Sequence, residues 1–174
     1  MLHGNKLKIM ELFFEEPSRS FHLREIGRIT GIAVTSVRKY LNELLVENLI
    51  VLNTKTIYPS YLANESDKMF KVHKQLVMLF KIYRSGLVDY LAKTALPRCI
   101  ILFGSMRKGE YIKKSDIDIF IQSSKQKLEL QKFEKQLKHR INILFETDLK
   151  ELNKELFNNI VNGVILSGYL KVNK

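Results

Sequence analysis

Two aspartates separated by one residue, Asp116 and Asp118, are the side chains in this sequence best suited to chemistry. They lie at the start of a short apolar run, 117–121, which predicts a buried strand, and side chains two apart on a strand point to the same face. Two adjacent carboxylates repel each other, so a buried pair shares a proton or holds a cation. Carboxylate oxygens suit Mg²⁺, which takes its other ligands from water and nucleotide phosphates. The pattern predicts that Asp116 and Asp118 are metal ligands and catalytic candidates.

A Gly-Ser pair at the end of a second predicted strand, 99–103, is separated from Asp116 by ten residues. Gly104 allows a sharp turn and leaves room for a phosphate. Ser105 is predicted to cap a following helix and to donate to phosphate oxygens, and Lys108 adds positive charge. The alternative interpretation is a strand–turn–strand unit with a solvated basic turn and an exposed carboxylate pair.

The segment GSMRKG followed by SDIDI resembles the nucleotidyltransferase superfamily related to DNA polymerase β, in particular its minimal, MNT-like members. Gly109 and Ser115 also match the signature, so the resemblance implies that they belong to the nucleotide-binding set. It further implies Mg²⁺-dependent transfer of a nucleoside monophosphate from an NTP, with ATP expected, to a hydroxyl acceptor. A HEPN-type toxin is the acceptor that the resemblance suggests, with this chain as its antitoxin.

The next predicted strand, 141–145, carries a third carboxylate in the resembled family, and Asn142 stands at the matching position here. An amide can ligate a metal ion but brings no charge, so a second Mg²⁺ would be held more weakly. Two interpretations follow. The chain is an active nucleotidyltransferase, or it is a transcriptional regulator whose nucleotidyltransferase-like domain binds nucleotide without turnover.

The composition limits the class of protein. The net charge is +11, of which residues 1–62 carry +2 and residues 96–174 carry +6, which suggests polyanionic partners such as nucleic acid or nucleotides. Cys99 is the single cysteine, expected as a buried thiol, and the four histidines show no metal-ligand spacing. We find no apolar stretch near 18 residues and no signal pattern, so a cytoplasmic protein without membrane association is expected.

The N-terminal third predicts a helix over 5–14, a short helix near 23–29, a turn at Gly31, a third helix over 33–47 and a hairpin of strands 49–52 and 56–61. This order resembles winged helix-turn-helix regulators of the MarR and ArsR type, whose third helix enters the major groove of double-stranded DNA. The predicted DNA contacts are Thr35, Ser36, Arg38, Lys39 and Asn42 on that helix and Lys55 at the wing tip. Winged helices also serve as dimerisation or docking modules, which is the alternative.

Residues 65–95 predict a helix with more than one apolar face, bent or broken at Ser85-Gly86. Its wide apolar surface predicts a homodimer. The predicted fold class is α+β, with a winged helix-turn-helix at 1–62, a connecting helix at 63–96 and a nucleotidyltransferase-type mixed sheet with flanking helices at 97–174. After strand 117–121 a further helix is expected near 130–137, another over 149–156, and packing for the sheet from 163–170.

Overall fold

The structure, a computed structural model, describes residues 4–54 and 57–170. The chain divides into two compact units, Met1–Lys74 and Gln75–Lys174. The described residues form an α+β protein with eight α-helices and two sheets. None of the helices within these ranges is long and apolar enough to cross a membrane. The predicted division at residues 62 and 96 stays a prediction.

In its described residues, the first unit contains three complete helices, the beginning of a fourth, and a small antiparallel sheet of strand order β1-β3-β2. Strand β3 is central, because Phe21 of β1 pairs with Tyr61 and Ile50 of β2 pairs with Ala63. The elements are α1 (Gly4–Glu15), β1 (Phe21–His22), α2 (Leu23–Thr30), α3 (Val34–Val46), β2 (Ile50–Asn53) and β3 (Ser60–Ala63).

Aromatic side chains build the core of this unit. Phe13 of α1 packs edge-on against Phe21, with ring centroids 5.3 Å apart, and Phe14 packs in the same way against Phe70 at 5.4 Å. All four rings are buried, and edge-to-face pairs of this kind contribute beyond their buried area. The apolar stripe of α1 therefore holds the helix against the rest of the unit.

The connecting segment consists of two helices and not one, α4 (Lys68–Arg84) and α5 (Leu87–Ala95). Gly86 lies between them with φ +77°, a left-handed conformation that glycine adopts without a steric penalty. The predicted break at Ser85-Gly86 is therefore confirmed, and the first helix begins at Lys68 and not at 65. The predicted homodimer stays a prediction.

The second unit is organised around a mixed four-stranded sheet of order β6-β5-β4-β7. Strands β5 and β6 are parallel, whereas β4 pairs antiparallel with both β5 and β7. The further elements are β4 (Cys99–Phe103), α6 (Gly104–Lys108), β5 (Ile117–Ile121), α7 (Gln131–Leu137), β6 (Ile141–Phe145), a 3-10 turn (Leu149–Glu151), α8 (Lys154–Val161) and β7 (Val164–Gly168).

The sheet has apolar side chains on both faces. One face, which includes Leu102 and Ile119, packs with residues of α5 and α7. The opposite face, which includes Ile101 and Phe120, packs with the 3-10 turn and α8. Because both faces are buried, the strands are continuous apolar runs, as the sequence predicted. Cys99 is a buried thiol as expected, and burial raises its pKa.

Three elements differ from the sequence prediction. The second hairpin strand begins at Ser60 and not at 56, and Ile57 and Tyr58 precede it outside any strand. The two-residue strand β1 was missed because it exists only by pairing with β3. The helix predicted over 149–156 is a 3-10 turn followed by α8, which begins after Asn153, whose side chain accepts a hydrogen bond from the Leu156 backbone.

Gly163 connects α8 to β7 where the chain passes close to β4. A Cβ atom there would lie 2.8 Å from the carbonyl oxygens of Leu102 and Ile160 and would also collide with Ile101. We expect Gly163→Ala to destabilise the second unit by about 1–3 kcal/mol, as overpacking of a well-packed site does. Urea unfolding measures this. The control Asn158→Ala, at an exposed position of α8, should change stability by less than about 0.5 kcal/mol. A Gly163→Ala effect as small as the control would contradict the prediction.

Candidate functional site

Three neighbouring strands bring the predicted site residues to one level of the sheet. Phe103, the last residue of β4, is the antiparallel partner of Asp118 in β5, and Asp118 is the parallel partner of Asn142 in β6. Cross-strand partners point to the same face of a sheet. Asp118 and Asn142 therefore project side by side, directly next to the point where β4 ends and Gly104 begins α6.

Gly104 approaches Asp118 so closely that no side chain fits between them. Its φ is +70°, and a Cβ atom built on it would collide with the carboxylate of Asp118. Glycine satisfies both constraints at once, because it adopts positive φ freely and has no Cβ. The predicted turn residue and the predicted metal ligand thus belong to one site.

The two aspartates differ in their surroundings. Asp118 lies within β5 and is about half-buried, whereas Asp116 precedes the strand and is exposed. Burial raises the pKa of the Asp118 carboxyl above its usual value of 3.8; the hydrogen bond from Asn142 opposes this, and the negative charge of Asp116 adds to it. A carboxylate in this position gains from a bound cation, which removes both the repulsion and part of the desolvation cost.

Asn142 contacts Asp118 directly. Its Nδ2 donates a hydrogen bond to Asp118 Oδ1 at 3.2 Å, and its side chain is exposed at the edge of the sheet. The amide thus orients the carboxylate and leaves its own oxygen as a neutral donor for a cation. A carboxylate at this position would instead repel Asp118.

The remaining predicted nucleotide-binding residues lie on α6 and on the loop before β5. Ser105 is the second residue of α6, so it does not cap the helix as predicted; Phe103 is the N-cap residue. Lys108 is exposed at the last position of α6, and Gly109 ends the helix with φ +66°. Ser105 and Lys108 therefore both follow the turn at Gly104, on α6.

Ser115 closes a tight turn. Its Oγ accepts a hydrogen bond from the Ile112 backbone N–H at 2.9 Å, and its own N–H donates to the Ile112 carbonyl at 2.8 Å. Lys113 and Lys114 lie at the tip of this turn, and Asp116 follows it at once. The contacts of Ser115 thus shape the loop that leads into Asp116.

Two buried side chains that the sequence analysis did not assign to the site support this loop. His139 Nδ1 lies 2.8 Å from the Ser115 carbonyl oxygen, and its ring packs edge-on against Tyr111 with centroids 5.7 Å apart. Both side chains are buried. No local pattern marks them, because His139 and Ser115 are 24 residues apart in sequence.

Other acidic side chains near β6 do not join the site. Glu146 follows the end of β6, four residues beyond Asn142, which corresponds to about 13 Å along a strand. The Asp148 side chain instead accepts a hydrogen bond from the Lys150 backbone and caps the 3-10 turn. Within residues 4–54 and 57–170, no group of three or more His, Cys, Asp or Glu side chains could hold a metal ion.

The predicted DNA-contacting side chains lie on one helix of the first unit. Thr35, Arg38, Lys39 and Asn42 of α3 are exposed and Ser36 is partly exposed. Lys55 lies outside the residues that the structure describes.

The acidic side chains of the same helix are engaged elsewhere. Glu43 of α3 and Glu47, the C-cap residue of that helix, pair with Lys6 of α1 at 3.1 and 2.6 Å. The hydrogen bonds and charges of both glutamates raise the pKa of Lys6 against the opposing effect of its partial burial. This pairing neutralises negative charge at the end of α3 remote from Thr35.

Comparison with known proteins gives one match. The family model described as "Polymerase beta, Nucleotidyltransferase" matches residues 85–170. The match supports a nucleotidyltransferase domain over this segment, which holds Gly104, Asp116, Asp118 and Asn142. Searches of curated proteins and of solved structures each found no match.

The raised pKa of Asp118 predicts that its ionised form destabilises the folded protein. The contribution of Asp118 to the free energy of unfolding is fully present below the pKa of the unfolded state, near 3.8. It is lost as the pH rises through the higher pKa of the folded state. In the presence of a metal chelator, we therefore expect Asp118→Asn to have a higher Tm than the wild type at pH 7. The difference in Tm should shrink towards pH 4. The exposed Glu129→Gln is the control and should show no such margin. A Tm for Asp118→Asn at or below that of the wild type at pH 7 would contradict the prediction.

Proposed function

We propose that this chain is a nucleotidyltransferase that moves a nucleoside monophosphate from an NTP, in the first place ATP, to a hydroxyl acceptor. The observation that carries the proposal is the close approach of the Gly104 backbone to the Asp118 carboxylate. This contact puts the turn between β4 and α6 directly against Asp118, one of the two carboxylates. The family match over residues 85–170 supports the same reaction class.

The donor set fits Mg²⁺. Asp116, Asp118 and the amide oxygen of Asn142 are hard oxygen ligands, and Asp118 is a half-buried carboxylate whose pKa is raised, so a cation would stabilise its charged form. When held by these residues, Mg²⁺ would neutralise part of the negative charge that develops during transfer.

The side chains of this segment then have separate tasks. Gly104 lets the turn pass Asp118 at close range, Ser105 donates to the triphosphate oxygens, and Lys108 neutralises part of the triphosphate charge. The acceptor oxygen attacks the α-phosphorus, the bond to the β-phosphate breaks, and pyrophosphate leaves. The amide of Asn142 is not a base, so the acceptor proton leaves to a carboxylate of the site or to bulk water.

The acceptor is proposed to belong to a separate protein. The resemblance to minimal nucleotidyltransferases suggests a HEPN-type toxin, which would make this chain an antitoxin that modifies its partner.

A second function is favoured by Asn142. Its amide donates to Asp118, where the resembled family has a third carboxylate. With less negative charge, the site is suited to hold one cation and a nucleotide more than to drive transfer. Under this alternative the chain is a transcriptional regulator whose C-terminal unit senses a nucleotide.

For the N-terminal unit we propose a DNA-binding winged helix-turn-helix, with α2 and α3 as the helix pair and β2–β3 as the wing. Gly27 supports it, because a Cβ there would lie 3.2 Å from the Ile32 carbonyl, which indicates close packing of α2 on the turn into α3. The exposed face of α3 carries the hydroxyl, cationic and amide groups that contact phosphates and base edges.

Nucleotide transfer is tested with the full chain, Mg²⁺, α-³²P-labelled ATP, GTP, CTP or UTP, and a cell lysate as the source of acceptors. We expect label on an acceptor, with ATP preferred, and a decrease of at least about 100-fold in Asp116→Asn or Asp118→Asn, because both carboxylates hold the same cation. Asp89→Asn, an exposed carboxylate of α5, is the matched control and should transfer normally. Tight NTP binding without transfer in any lysate would favour the sensor alternative. If the chain neither binds an NTP nor transfers label, both the transferase proposal and the sensor alternative are refuted.

DNA binding is tested by selecting a bound sequence from a random library and measuring its affinity against salt. We expect the double variant Arg38→Ala with Lys39→Ala to bind more weakly and to reduce the slope of log K against log salt by about two, one for each lost phosphate contact. Lys8→Ala with Lys68→Ala removes two exposed lysines outside α3 and serves as the control. An equal loss in both double variants would reject α3 as the contact helix.

A further inference from the structure

Asp116 lies one residue outside the strand that holds Asp118. The parallel pairing of β5 with β6 begins at Ile117, which is opposite Ile141. Asp116 therefore lies outside the residues paired between β5 and β6. Side chains two residues apart point to the same face only where the backbone is extended. Asp116 therefore points to the same face as Asp118 only if its backbone continues the extended conformation of β5.

The backbone on both sides of Asp116 is held by two consecutive residues, His139 and Arg140. The N–H of Ile117 donates to the Arg140 carbonyl at 2.8 Å. The carbonyl of Ser115 lies 2.8 Å from His139 Nδ1. A carbonyl oxygen only accepts hydrogen bonds, so Nδ1 carries the proton and donates. The last backbone hydrogen bond between these segments is the one from Ile117 to Arg140. The imidazole adds a further hydrogen bond at Ser115, two residues earlier in the chain.

The imidazole is itself fixed in place. His139 is 4% exposed and Tyr111, whose ring meets it edge-on at an interplanar angle of 86°, is 1% exposed. The loop between Tyr111 and Asp116 is also closed by the two hydrogen bonds between Ile112 and Ser115. These hydrogen bonds restrain the backbone at Ser115 and at Ile117, and Asp116 lies between the two restrained residues.

From these contacts we infer that His139 is a positioning residue, which keeps Asp116 aligned with Asp118 so that the two carboxylates bind one divalent cation. The inference rests on the proposed function, since it assigns the pair to a cation. A buried histidine that only filled the core would satisfy its N–H on any nearby carbonyl. This one bonds the residue directly before the proposed ligand, and its loss would free Asp116 to leave the shared face.

The experiment measures Mn²⁺ binding to the full chain by electron paramagnetic resonance, with Mn²⁺ alone as the probe. His139→Leu and His139→Asn have side chains of nearly the same shape, but only Asn keeps a donor close to the position of Nδ1. We expect the Kd for Mn²⁺ to rise about 10-fold or more in His139→Leu, as the loss of outer contacts to metal ligands typically causes, and to stay within about 3-fold of the wild type in His139→Asn.

Two further variants keep the result interpretable. His139→Phe keeps a ring against Tyr111 and lacks the donor, so it replaces His139→Leu if that variant does not fold. Leu137→Val alters a buried side chain at the end of α7 and reports the effect of a nearby packing change, which should leave the Kd unchanged.

The outcomes separate the inference from the proposed function. Weak binding in the variants without a donor, with normal binding in His139→Asn and Leu137→Val, supports the positioning role. Normal binding in His139→Leu, or equal weakening in Leu and Asn variants, overturns it, provided that Asp116→Asn and Asp118→Asn lose Mn²⁺. If neither aspartate variant changes Mn²⁺ binding, the proposed metal site itself fails.

Discussion

The contact between the Gly104 backbone and the Asp118 carboxylate is the constraint on which the candidate site depends. Strands β4 and β5 run antiparallel, with Phe103 opposite Asp118, so the turn after β4 must pass the carboxylate at close range. Only glycine permits both the positive φ and the approach. The start of α6, and with it the places of Ser105 and Lys108 on that helix, follow from where that turn occurs.

This close packing has an electrostatic cost that itself suggests function. Burial, together with the charge of Asp116, raises the pKa of Asp118, and Asn142 offsets this only in part through one hydrogen bond. A site arranged for stability alone would have paired the carboxylate with a cationic side chain. An arrangement that keeps two carboxylates and an amide together is stabilised best by a bound cation.

Much of the second unit could be predicted from the sequence. The strands at Cys99–Phe103, Ile117–Ile121 and Ile141–Phe145 have the predicted bounds, because each is a short apolar run ended by glycine or polar residues. The division of the helix predicted over 149–156 into a 3-10 turn and α8, and strand β1 of the first unit, could not be predicted. A three-residue 3-10 turn is too short for its apolar spacing to be told from that of an α-helix, and a two-residue strand has no periodicity of its own.

The sequence by itself determined which groups can do chemistry, their spacing, and the glycine turn beside them. Only the tertiary structure decided which of these groups meet. The parallel pairing of β5 with β6 puts Asn142 against Asp118, and the segment before β6 brings His139 to Ser115. The reason is physical: strand pairing across more than 20 residues depends on long-range hydrogen bonds and burial, which leave no mark in local residue patterns.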